Sequence, residues 1–143
     1  AAKYDYEFDL TISTKIKFRE GVDFMASNTM RSGRSLLEHE IMHIAYYNAE
    51  AEAIHSYAND NYKWGCASLE CVNAWIKHVQ DYAKYRMKVT QAEHAMLEYD
   101  DYYIPLNTGY DTKAQNILAN ATSVLLPAAN SSYATAVQKC GGN

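Results

Sequence analysis

Residues 35 to 62 contain neither glycine nor proline, and the same holds from 66 to 104. The whole chain of 143 residues has only six glycines and two prolines, Pro105 and Pro127. A chain with so few breakers over such lengths is pushed toward long helices. The apolar spacing agrees. Leu37, Ile41, Ile44, Asn48, Ala51, His55, Ala58 and Tyr62 follow the alternating four-three rhythm of a helix seam. Ser35 with Glu38 spells a capping box that predicts the start of the first helix, and Lys63-Trp64-Gly65 supplies a stop. Leu69, Val72, Ile76, Val79, Ala83, Met87, Thr90, His94 and Leu97 repeat the rhythm over 68–102. The short connection folds the two helices back as an antiparallel hairpin.

Around that hairpin the remaining segments are shorter. Tyr4, Tyr6, Phe8, Leu10 and Ile12 alternate with mostly polar neighbours, which predicts an extended arm over 1–16. Phe18, Val22 and Met25 suit a short helix. Pro105 to Gly109 reads as a loop, Asp111 as the cap of a helix over 111–126, and Pro127 as the break before a last helix over 130–139. The expected fold is one all-α domain, a helical bundle built on the long antiparallel hairpin.

The chemistry concentrates in His39-Glu40-Ile41-Met42-His43. On a helix, H-E-x-x-H puts two imidazoles one turn apart with a carboxylate beside them, as a metal ion and a general base require. With uncharged Leu36 and Leu37 before it and Ile44 and Ala45 after, the stretch resembles the zincin family signature. The resemblance implies that His39 and His43 bind zinc and that Glu40 activates water as the catalytic residue of a peptidase. It covers about ten residues. No third histidine follows at the usual place, so Glu70 or His94 would have to complete the set by folding.

Two other readings compete. At about 100° per residue, the apolar face of the first helix places Glu40 near its centre and turns His39 toward solvent. A carboxylate there needs a partner. His94 and Glu98 on the second helix could meet it, giving a zinc or other transition-metal site from His39, His43, His94 and Glu98. Glu40-x-x-His43 and Glu52-x-x-His55 resemble the spelling of ferritin-like carboxylate proteins, and other spacings resemble fragments of the hemerythrin ligand set. Both copies lie on one helix about 18 Å apart, too far to share a centre. In the third reading, Glu40, Thr90 and His94 form a hydrogen-bonded cluster that fixes the hairpin's register. His78 falls off the seam, and Asp100-Asp101 reads as a solvated helix end.

Composition limits the partners. A formal charge of -4 without a basic cluster argues against nucleic acid, and no apolar run is long enough for a transmembrane segment. Thirteen tyrosines against three phenylalanines suit shallow cores or contact surfaces. The Ala-Ala-Lys start and the glycosylation spellings at Asn120 and Asn130 suit a secreted glycoprotein. Cys66 and Cys71 are close enough in sequence to pair, which leaves Cys140 to bridge to another chain. The leading expectation is therefore a secreted bundle acting by binding or self-association, as a homo-oligomer or with a protein partner. The zinc peptidase is the alternative.

Overall fold

The computed structural model describes residues 30–65 and 68–141. Among them the fold is all-α, with no strand. Helix α1 spans Leu36–Asp60, α2 spans Leu69–Asp101, α3 spans Tyr110–Asn120 and α4 spans Leu126–Lys139. The arm expected over 1–16 and the short helix at Phe18–Met25 lie outside the described residues. No described helix is long and apolar enough to cross a membrane.

Local chemistry starts both long helices. The Ser35 hydroxyl accepts from the Glu38 N–H at 3.1 Å, and the Glu38 carboxylate accepts from the Ser35 N–H at 3.3 Å. Ser68 caps α2 by accepting from the Cys71 N–H at 3.2 Å. The third helix departs from expectation. Its cap is Gly109 at φ +90°, a left-handed conformation that suits glycine, and Asp111 sits inside the first turn.

Pro127 does not separate two helices. Residues 110–139 form one rod, α3 running into α4 through a π-helical turn at Ala121–Leu125. Proline lacks an N–H and crowds the carbonyl four residues back. The wider π-turn, where the Leu126 N–H bonds to the Ala121 carbonyl, takes up that misfit. The buried residues of the rod are all alanines: Ala114, Ala121, Ala129 and Ala136. Their spacing is seven, eight and seven, and the eight falls across the π-turn. The inserted residue thus keeps one small-residue face toward α2.

Helix α2 is the middle rod. Polar pairs along α1 run opposite to those along α2: His39 with Asp101, His43 with Glu98, Glu50 with Arg86, Tyr57 with His78. On its other side α2 meets the α3–α4 rod, also antiparallel, with Ala92 and Ala95 against Ala114 and with His78 against Ala129. The core joins Ala58, Trp75, Val79 and Ala136, ringed by Tyr57, Tyr62 and Trp64. Tyr57 also stacks on Tyr82 at 3.7 Å between ring centres. A rod covered on two sides buries residues off any single seam. That is why His78, expected at the surface, is buried, and why Leu69, expected in the seam, is exposed.

The remaining expectation about cysteines is overturned. Cys71 is bonded to Cys140, with Cα atoms 4.7 Å apart, and not to Cys66. The long rod returns its last residue to the first turn of α2. The cross-link is therefore internal, and Cys140 is not left for another chain. Cys66 lies outside the described residues.

Two predictions arise from this packing. Arg86 grips Glu50 with two bonds, Nε to Oε1 at 2.6 Å and Nη2 to Oε2 at 3.1 Å, across the α1–α2 interface. Arg86→Met strands a nearly buried carboxylate and is expected to cost about 3 kcal/mol, while Glu50→Leu with Arg86→Met recovers most of it. Urea unfolding of the three proteins measures this; equal midpoints for the single and double variants would refute it.

The second concerns His78. Its Nδ1–H donates to the Ala129 carbonyl at 2.8 Å, and its Nε2 accepts from the Tyr57 hydroxyl at 2.5 Å. Ser132, Tyr82, Tyr133 and, electrostatically, Asp81 surround it. Burial holds the imidazole below its usual pKa, against the opposing effects of the Ala129 carbonyl and Asp81. The unfolded chain then takes the proton first as pH falls. The stability carried by the neutral ring is present above about pH 6.5 and is lost below it. Unfolding midpoints are expected to drop between pH 7 and 5, and to drop less in His78→Gln. The same slope in both proteins would exclude His78 as the cause.

Candidate metal centre

The phase of α1 decides what the centre contains. His39 is fully buried, whereas Ile41 is 49 % exposed and Glu40 is half-buried. The seam toward α2 runs through His39, His43, Glu50, Ile54 and Ala58, not through Ile41, Asn48 and Ala51. Polar residues fill the amino-terminal half of that seam. An apolar count therefore selects the wrong stripe, because here carboxylates on α2 compensate the buried polarity of α1.

Three ligand-type atoms converge. His39 Nε2 lies 3.0 Å from Glu98 Oε1 and 3.2 Å from His43 Nε2, and His43 Nε2 also contacts Glu98 Oε1. Two ligands of a tetrahedral zinc ion stand about 3.3 Å apart, close to the two separations from His39 Nε2, while the contact of His43 with Glu98 is tighter than that. His43 and Glu98 are 20 % and 14 % exposed, so the cluster is reachable from one side. Glu70, considered earlier as a third ligand, sits at the opposite end of α2.

Each imidazole is held from behind. His39 Nδ1 bonds to Asp101 Oδ2 at 2.8 Å, and Asp101 also takes Arg34 Nη1 at 2.5 Å. Asp101 is not a solvated helix end: its side chain is fully buried. Burial alone would push its carboxyl up, but hydrogen bonds from Ser32, His39 and Arg34 hold it below the usual range. Burial pulls His39 down, and its bonds to Glu98 and Asp101 outweigh that and raise it. Glu98 is likewise opposed by burial and held well below the carboxylate range by bonds from His39, His43 and Tyr102. Arg31 closes the end of α2, donating to the carbonyls of Asp101, Asp100 and Tyr99.

His94 does not join the convergent atoms. Its ring lies nearly parallel to that of His43, 4.7 Å between centres and edge to edge, with Nδ1 against Nδ1. Its buried Nε2 has no hydrogen-bond partner among the described residues. Burial, and then the neighbouring His43, pull its pKa down to about 4. Glu40 stands beside the cluster on α1. Burial and the bond to Glu98 push the Tyr102 phenol up, and the charge of Glu40 adds to that. Tyr102 also stacks on His39 at 5.5 Å.

The other residues singled out from the sequence lie elsewhere. Thr90 is buried, its hydroxyl without a partner among the described residues. It belongs to no cluster with Glu40. Asn120 and Asn130 are both exposed on the α3–α4 rod, inside helical backbone. Asp101 and Arg34 are the parts that sequence reasoning missed. An acid placed opposite each histidine in the antiparallel register was the signal for Asp101. No family model, curated protein or solved structure matches the chain.

Proposed function

We propose that the protein is a zinc-dependent hydrolase of peptide bonds, with His39, His43 and Glu98 as metal ligands and Glu40 as general base. The observation that carries this is the meeting of one ligand atom from each of His39, His43 and Glu98, all within 4.8 Å of one another. Two histidines and a glutamate form a donor set that suits catalytic zinc and leaves a fourth position for water or substrate. A zinc ion bound there would polarise a carbonyl and acidify a water.

The remaining work falls to the chain. Asp101 accepts the Nδ1 proton of His39 and so turns Nε2 toward the ligand position, the usual outer-shell arrangement. His94 serves His43 in the same way, as a neutral acceptor at Nδ1. Glu40, next to His39 on the same turn of α1, would take the proton of the attacking water and pass it to the amine as the C–N bond breaks. Tyr102 and Glu98 hold each other in place.

Self-association has lost its first supports. Cys140 is bonded within the chain, and Tyr57 and Tyr82 stack on neighbours inside the fold. The internal disulfide suits an oxidising compartment, and secretion is the setting we propose.

Elemental analysis of the full chain, purified without chelator, tests the reading. One zinc per chain is expected, and it should be lost in His43→Ala and in Glu98→Ala. His94→Ala is expected to weaken zinc binding by roughly 10–100-fold, because it removes only the support behind a ligand. Absence of zinc from the wild-type protein after titration with micromolar zinc would overturn the proposal.

A further inference from the structure

A groove of about 510 Å³ lies between α1, α2 and α3. This is within the size range of ligand pockets. Its lining is mostly apolar and includes Tyr46 from α1, Met96 and Leu97 from α2, and Leu118 from α3. Met96 and Leu118 are 38 % and 46 % exposed and bring two large apolar side chains to the groove. Two carboxylates, Glu93 and Asp100, stand in the same wall. Neither has an ion-pair partner among the described residues: Arg31 binds the Asp100 carbonyl, not its carboxylate.

The groove adjoins the candidate centre. Tyr46 lies edge-on to His94 at 5.5 Å, and Leu97 precedes Glu98 in the chain. An apolar trough with two acids that have no ion-pair partner among the described residues complements a ligand that is both oily and cationic. A peptide that sets a lysine or arginine beside a large apolar residue has that chemistry: its aliphatic parts bury against Met96 and Leu118 while its cation meets Glu93 and Asp100.

We infer that this groove binds peptide segments that join a basic side chain to an apolar one. If the hydrolase reading holds, such segments flank the bond that is cut. Binding itself does not depend on that reading, so it is measured in Glu40→Gln with chelator present.

The probe is a fluorescein-labelled peptide, Ala-Leu-Arg-Phe-Ala-Gly, against its counterpart with Glu for Arg, followed by fluorescence anisotropy. The basic peptide is expected to bind at least tenfold more tightly. Glu93→Gln with Asp100→Asn should remove that preference. Glu52→Gln with Glu70→Gln, which changes net charge equally away from the groove, should leave it intact. Equal binding of the two peptides, or the same loss in both double variants, would overturn the inference. So would a dimer in sizing runs whose formation depends on Glu93 and Asp100, because a second copy would then be the occupant. Zinc binding and hydrolysis with no peptide preference would remove the groove alone. A preference without zinc would remove the hydrolase alone.

Discussion

Glu40→Gln is expected to retain one zinc per chain and to lose peptide hydrolysis by roughly 10²–10⁴-fold, the usual contribution of a general base. The two halves of the result separate the roles on α1. In the proposed centre the metal would rest on His39, His43 and Glu98, whose ligand atoms meet without Glu40. Proton removal is assigned to Glu40 in the proposal because, among the described residues, Glu98 is held by both histidines and Tyr102, and Asp101 by His39 and Arg34. Single-turnover cleavage of a quenched casein digest, with zinc measured on the same sample, makes the comparison. Wild-type rates in Glu40→Gln would end the peptidase reading. Loss of zinc along with activity would make Glu40 a structural residue of the centre.

The second large effect belongs to the far end of the molecule. The Cys71–Cys140 bond spans 69 positions of sequence, and it ties the end of the long rod to the start of α2. In the chain-entropy account a loop of that size contributes about 4 kcal/mol by restricting the unfolded chain. Cys71→Ser with Cys140→Ser is therefore expected to lose about that much in urea, a large part of the stability of a domain this size. Zinc affinity should stay unchanged, because Cys71 and Glu98 lie about 40 Å apart along α2. A small loss would mean that the reduced chain already holds its ends together. A large fall in zinc affinity would mean that the two ends of α2 are coupled.

Much of the fold was legible because it rests on local chemistry. Ser35 and Glu38 announce a capping box, and both bonds are formed. The glycine-free and proline-free runs give α1 and α2. The differences share a cause: an apolar period describes one helix alone, and the buried faces here are set by pairs of helices. The face of α1 toward α2 is polar, so an apolar count chose Ile41 and left His39 outside, although His39 is the fully buried one. The hairpin register also differs. A turn centred near residue 65 sets Glu40 level with about residue 90, yet His39 meets Asp101, because the first turn of α2 projects beyond the end of α1. A helix flanked on both sides explains His78 and Asp101. The cysteine pairing needed the path of the third rod, which Pro127 hid.

The π-turn at Ala121–Leu125 also bears on how this chain can vary in length. One residue more or fewer within those five can be absorbed by tightening or widening a single coil, leaving the four alanines aligned. The same change elsewhere between Tyr110 and Lys139 rotates everything beyond it by about 100°, and a deletion brings Asn130 or Val137 into a gap cut for a methyl group. Among relatives of this chain, insertions and deletions in the third rod should therefore gather at that one coil.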